Sequence, residues 1–176
     1  MPYSEIAREL QAKAANLALR MPIAWVNILA GPPVGADGRT LDARAQWLLK
    51  VLAHSGQPPI ERTSVLEARG DYDTFMLEMG GRAAPIGEIV DRSLDGPAGR
   101  LRVRIYRPAG AVARLLPAIL YLHGGGWVMG SLEGYDLVSR YLCARSGCAI
   151  VVPDYRLAPE HRFPAGLDDA VAAFRW

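Results

Sequence analysis

Hydrophobic and polar positions change period once along this chain, from helical to extended, and that change divides it. In the first half the apolar residues recur at helical spacing. Ile6, Leu10 and Leu17 share one face of a helix predicted from a cap at Ser4 to about Arg20. Pro22 and the turn Gly31-Pro32-Pro33 break that pattern. A second helix fits Leu41 to His54, with Leu41, Ala45, Leu48, Leu49 and Leu52 as its apolar stripe and Gly56 just past its end. Gln57-Pro58-Pro59 reads as a linker, and a third, weaker helix fits Ser64 to Met79.

After Gly80-Gly81 and Pro85 the period becomes two. Glu88 to Leu94 and Leu101 to Tyr106 alternate around Asp95-Gly96-Pro97 and Gly99, which predicts an antiparallel hairpin. Leu101, Val103 and Ile105 fall on one face, with Arg102, Arg104 and Tyr106 on the other. Ala118 to Leu122 and Ala149 to Val152 are near-continuous apolar runs, the pattern of parallel strands buried on both faces. Between them a helix fits Tyr135 to Ser146, with Leu137, Val138, Tyr141 and Leu142 inward and Gly147 at its end. A last helix begins near Ala165, carrying Asp168 and Asp169 in its first turn, where the helix dipole favours acids. Helices, a hairpin and then a βαβα run describe an α/β protein with a helical cap. The division expected is an N-terminal helical extension (1–38), a helical cap segment (39–85) and an α/β core (86–176).

Composition excludes more than it assigns. Of 176 residues, 51% are hydrophobic and 22% charged, which suits a globular chain. The 20 Lys and Arg are scattered among 18 acids for a net charge of +2, so no basic stripe points to nucleic acid. Cys143 and Cys148 are too few for a disulfide framework and fit a reducing compartment. Glu5 and Glu9 interrupt what would be the basic part of an export signal, and the apolar run Met21 to Ala30 is too short to span a bilayer. The location expected is therefore the cytoplasm. The three histidines have no ligand-like spacing, so no metal or other cofactor is expected.

The chemistry sits where the first parallel strand ends, in His123-Gly124-Gly125-Gly126-Trp127. Consecutive glycines after a strand cost conformational entropy but leave backbone N–H groups unobstructed toward an incoming atom. Ester or amide cleavage needs such donors, because negative charge develops on the carbonyl oxygen, and one well-aimed donor contributes about 3–4 kcal/mol. The plainer reading is a glycine turn that lets a helix pack closely on the sheet. A dinucleotide fingerprint is excluded in detail: the third glycine position is Met129, and the helix starts only near Tyr135.

A second constellation, Asp154-Tyr155-Arg156-Leu157-Ala158-Pro159-Glu160-His161, follows the second parallel strand. With His-Gly-Gly-Gly it resembles the hormone-sensitive-lipase family of α/β-hydrolases, the bacterial esterases and their deacetylase relatives. The resemblance covers about residues 40–176 and takes in Leu41-Asp42-Ala43-Arg44, Glu67-Ala68-Arg69, Ile105-Tyr106-Arg107-Pro108 and Leu167-Asp168-Asp169. It implies the N-terminal part of an α/β-hydrolase fold and a serine-nucleophile ester hydrolase. It gives Gly125 and Gly126 the oxyanion-hole N–H groups, Gly124 the shaping of the loop, and His123 a hydrogen bond to neighbouring backbone rather than the role of catalytic base. Tyr155, Arg156 and Glu160 would form a buried polar knot bracing the same wall, whereas as plain sequence they also fit a solvated loop.

The chain departs from the family in one respect. The Gly-Asp-Ser-Ala-Gly nucleophile turn, and the acid and histidine that follow it, are not in these 176 residues. Ser131 has the wrong spacing and no strand before it, His161 reads as a surface histidine, His54 ends a helix, and both cysteines read as core packing. A triad works as a unit, so the 176 residues alone are expected to be inactive, a truncated or split enzyme with Ala118 to Leu122 on an open sheet edge. The partners expected are a small-molecule ester and a C-terminal half or a second copy. The rival expectation is a non-catalytic binding protein that keeps the cap and the loop.

Overall fold

A computed structural model of the chain describes residues 13, 16, 17, 20–54, 62–110 and 115–176. The cap at Ser4 and the linker Gln57-Pro58-Pro59 lie outside these residues. The chain divides into two compact units, Met1–Thr63 and Ser64–Trp176.

In the first unit, α1 (Ile23–Ala30) is followed by the two-residue strands β1 (Gly35–Ala36) and β2 (Arg39–Thr40), paired antiparallel, and then by α2 (Ala43–Ala53). A helical extension is expected over residues 1–38, but α1 is not delimited within it, because Pro22 and Gly31-Pro32-Pro33 read as breaks. Pro22 stands just before the helix and accepts from Trp25 and Val26, where a residue without an N–H loses nothing. The small hairpin was also missed, although Asp37 and Gly38 form its turn with φ of 53° and 74°, the left-handed pair that a two-residue hairpin requires. The helix expected over Leu41 to His54 is present, its first turn closed by the Asp42 carboxylate accepting from the N–H of Arg44 (2.9 Å) and Ala45 (3.3 Å). Buried Gln46 ties the unit together. Its amide donates to the carbonyls of Ala30 and Pro32, both at 2.8 Å, and accepts from the Val34 N–H at 3.0 Å.

The second unit runs α3 (Val65–Met79), β3 (Glu88–Gly96), β4 (Gly99–Arg107), β5 (Ala118–Leu120), α4 (Asp136–Ser146), β6 (Ala149–Pro153) and α5 (Ala165–Arg175). A reciprocal cap between Ser64 and Glu67 starts α3, and left-handed Gly147 (φ 69°) ends α4. The expected hairpin is in register from Glu88↔Arg107 to Gly96↔Gly99. The sheet is mixed, in the order β3-β4-β6-β5: β4 pairs with β6 antiparallel, and β5 pairs with β6 parallel.

Alternation along β4 and β6 builds a core on each face. Tyr106, Ile150 and Val152 pack with Leu132 and with Cys143 of α4. Leu94, Leu101 and Val103 pack with Ala173 of α5. Each fully buried apolar side chain of this size contributes about 1.5–3 kcal/mol. Two expectations need correction. Tyr106 keeps the face expected with Arg102 and Arg104, but its place there is not polar: it is wholly buried, packed with Leu132 and with Cys143 of α4. Nor is β5 buried on both faces. It lies at the sheet edge with Ala118 and Ile119 exposed, while β6 between two neighbours buries Ile150, Val152 and Pro153 and half-buries Ala149 and Val151. Among the described residues no helix is long and apolar enough to cross a membrane.

Candidate functional site

Beyond Leu120 the chain keeps one more sheet contact, from the Tyr121 N–H to the Val151 carbonyl at 2.8 Å, and then turns into the glycine loop. Gly125, Gly126 and Gly130 take φ of 122°, 63° and 97°, and Trp127 joins them at 59°. The Gly125 carbonyl accepts from the N–H groups of Val128 (3.1 Å) and Met129 (2.9 Å), which closes a tight turn. A Cβ on Gly125 would run into the Met129 carbonyl, and one on Gly130 into the His123 ring, so both positions require glycine for space as well as for φ. Among the described residues the N–H groups of Gly125 and Gly126 have no intramolecular partner.

His123 is 4% exposed, and its ring serves the loop. Nδ1 lies 2.9 Å from the Gly124 carbonyl, which assigns it the proton, while Nε2 is buried without a partner. Burial pushes the imidazole pKa down, partly offset by the hydrogen bond to Gly124 and the charges of Asp154 and Asp73, so the neutral ring is the native form. The ring stacks on Tyr155 at 4.4 Å, and the Tyr155 hydroxyl donates to the His123 carbonyl at 2.6 Å. Tyr135 lies 5.4 Å from the same ring on another side, and its hydroxyl bonds that of Tyr72 at 2.7 Å. Burial raises the Tyr155 pKa to about 12 and raises that of Tyr135 as well, so both phenols are neutral hydrogen-bonding groups.

The expected single knot of Tyr155, Arg156 and Glu160 resolves into three separate attachments. Tyr155 reaches back to His123. Arg156 grips buried Asp169 of α5, donating from its main chain (3.0 Å), Nε (2.8 Å) and Nη2 (2.9 Å). Glu160 is exposed rather than buried, and it pairs with Arg69 of α3 at 2.7 Å, which holds its carboxyl pKa down at about 2. Arg69 and Asp169 were named from sequence within segments shared with the resembled family, but not as members of the site. The signal for Asp169 was present, since an Arg expected in a buried knot demands an acid, but Asp169 was expected in the first turn of the helix in a dipole role, whereas only Asp168 lies in the first turn of α5.

Tyr155, His123 and Arg156, from the first two attachments, line a cavity of about 670 Å³. Gly124 and Gly126 line it with His123 and Tyr155, and Trp127 and Phe163 stand at it largely exposed. Gly125 is not among its lining residues. The remaining candidates fall elsewhere or serve structure. The Ser131 hydroxyl accepts from the Gly134 N–H at 2.9 Å, closing a loop. His161 lines the cavity but is exposed. His54 ends α2 with Nδ1 2.8 Å from the Lys50 carbonyl. Cys143 is core, and Cys148 is half-buried.

A mixed sheet with helices on both faces, followed by a strand-exit glycine loop at a cavity, is the arrangement of an α/β-hydrolase core, and the comparisons agree. Residues 119–176 match a family model described as alpha/beta hydrolase fold. The chain is 32% identical to carboxylic ester hydrolase LipN of Mycobacterium tuberculosis over 176 residues, 96% of this chain and 46% of that protein. It is 39% identical to the ethyl acetate hydrolase of Pseudomonas putida over 120 residues, 67% of this chain and 38% of that one. A hyperthermophilic esterase from the archaeon Pyrobaculum calidifontis superposes with a TM-score of 0.65 at 39% identity, covering 73% of this chain and 41% of that one. These likenesses show the α/β-hydrolase fold for this chain, with the family match over residues 119–176. The chain spans less than half the length of these relatives.

Proposed function

We propose that these residues form part of a carboxylic ester hydrolase of the serine-nucleophile type, in which the loop His123–Gly126 is the oxyanion hole. The observation that carries the reading is a three-glycine turn with free N–H groups at Gly125 and Gly126, of which Gly126 lines a cavity of about 670 Å³. Gly125 and Gly126 donate to the carbonyl oxygen of a small ester as it becomes tetrahedral, Gly124 shapes the loop, and neutral His123 holds it by its bond to the Gly124 carbonyl. Tyr155, Arg156 and Glu160 brace the wall through His123, Asp169 and Arg69. The donors are fixed before the substrate arrives, so their advantage falls in the transition state.

Nucleophile, acid and base come from polypeptide outside these 176 residues, consistent with the share of the relatives that the chain spans. That polypeptide is a C-terminal half of the enzyme. No cofactor enters the reaction, nucleic acid is not a partner, and the cytoplasm is the place of action. Residues 1–38 are an extension, 39–85 a cap segment and 86–176 the core. The test is hydrolysis of a short activated ester. The full-length protein turns it over saturably and is blocked by a serine-directed reagent, whereas residues 1–176 alone do not exceed background. Saturable ester binding without turnover by the full-length protein would make it a binding protein instead.

A further inference from the structure

Arg69, in the second turn of α3, makes four hydrogen bonds, to three different residues far along the chain. Nε donates to the Val128 carbonyl at 2.7 Å and Nη2 to the Ala158 carbonyl at 2.9 Å, while Nη1 and Nη2 grip the two carboxylate oxygens of Glu160 at 3.0 and 2.7 Å. Val128 belongs to the glycine turn, its N–H bonded to the Gly125 carbonyl. Ala158 is tied to the same turn from the other side, its N–H donating to the Trp127 carbonyl at 2.8 Å. One planar guanidinium thus fastens α3, the glycine turn and the segment Ala158–Glu160 at a single point. An ammonium, with one donor centre, cannot satisfy a forked carboxylate and two carbonyls in this geometry.

We propose that Arg69 is a positioning residue for the glycine loop: it fixes the Val128 carbonyl, and through the turn closed on Gly125 it sets where the Gly125 and Gly126 N–H groups point. An Arg that merely anchored a helix would need Glu160 alone. The bond from Nε to Val128 is what a loop-setting role requires. The catalytic consequence rests on the esterase reading above; the effect on the loop does not.

The test is hydrogen exchange by mass spectrometry on the full-length protein, comparing the peptide spanning residues 124–131 with peptides from β3 and β4. In Arg69→Gln the loop peptide exchanges at least tenfold faster while the hairpin stays within twofold. Arg69→Lys recovers little of the protection. Glu160→Gln, which leaves the donors to Val128 and Ala158 in place, loosens the loop less than Arg69→Gln does. An unchanged loop in Arg69→Gln, a rise shared equally by the hairpin, or an equal effect of Glu160→Gln each overturns the proposal. In the active enzyme Arg69→Gln also lowers kcat at least tenfold with KM within twofold. A loosened loop with kcat unchanged upholds the clamp and refutes the oxyanion reading of Gly125 and Gly126.

Discussion

The Tyr155 hydroxyl donates to the His123 carbonyl at 2.6 Å, and the two rings stack at 4.4 Å, so the exit of β6 holds the exit of β5. The two strands already pair in parallel from Ala118↔Ala149 to Leu120↔Val151, and this contact continues their association past the last ladder bond. Replacing Tyr155 with Phe keeps the stack but leaves the buried His123 carbonyl without this donor. The expected cost is about 1–2 kcal/mol, read as a lower denaturant midpoint at unchanged slope. A shift too small to resolve would mean that the stack alone carries the contact.

Arg156 and Asp169 make the second attachment, and here the burial is unequal. Asp169 is 2% exposed, and Arg156 keeps about a quarter of its side chain in solvent. Asp169→Ala therefore strands a cation that keeps only the Ala165 carbonyl as acceptor, after losing the carboxylate that took its Nε, one Nη2 bond and the main-chain N–H. Loss of one member of such a pair is expected to cost roughly 3 kcal/mol. The double variant Arg156→Met with Asp169→Leu should recover much of that loss. A double variant as unstable as the sum of the two single ones would show that the pair does not act as a unit.

Much of the fold was legible because its signals are local. Period two over Glu88 to Tyr106 gives a hairpin wherever the chain goes next, and Ser64 and Gly147 mark helix ends by backbone chemistry alone. The His123–Gly126 loop was legible for the same reason: consecutive glycines after an apolar strand have few other uses. What escaped was set by partners distant in sequence. Tyr106 looked polar by strand parity, and only its neighbours Leu132 and Cys143 bury it. Glu160 looked buried by association with Tyr155, but its partner Arg69 lies on a helix 91 residues away. The turn at Asp37 and Gly38 is a different case, since its signal was local and was passed over.

Histidine 123 should make stability depend on pH. Burial holds its pKa below the ordinary value of about 6.5, so the fold selects the neutral ring and the unfolded chain binds the proton more tightly. This contribution is complete above that ordinary value and is lost as the pH falls through the lower folded value. Unfolding free energy measured from pH 7.5 down to pH 5 should decline, and the slope should flatten in His123→Gln. An equal slope in that variant would assign the decline to the carboxylates.

Gly125 and Gly126 should respond differently to the same added methyl. At Gly126 a Cβ meets nothing within 4 Å, so Gly126→Ala carries only the left-handed backbone cost at φ 63°, about 1–2 kcal/mol. At Gly125 the φ of 122° is open to glycine alone, and the Cβ is driven into the carbonyl of Met129, the residue whose N–H helps close the turn on the Gly125 carbonyl. Gly125→Ala must therefore move the loop, with a loss of roughly 2–3 kcal/mol or more. In the active enzyme that movement should lower kcat far more than it raises KM, because the donor it displaces acts on charge present only in the transition state. A reduction of about 100-fold or more in kcat matches the loss of one oxyanion donor. Turnover within a few-fold of the parent would remove Gly125 from the oxyanion hole and leave Gly126, which lines the cavity, as the donor to examine.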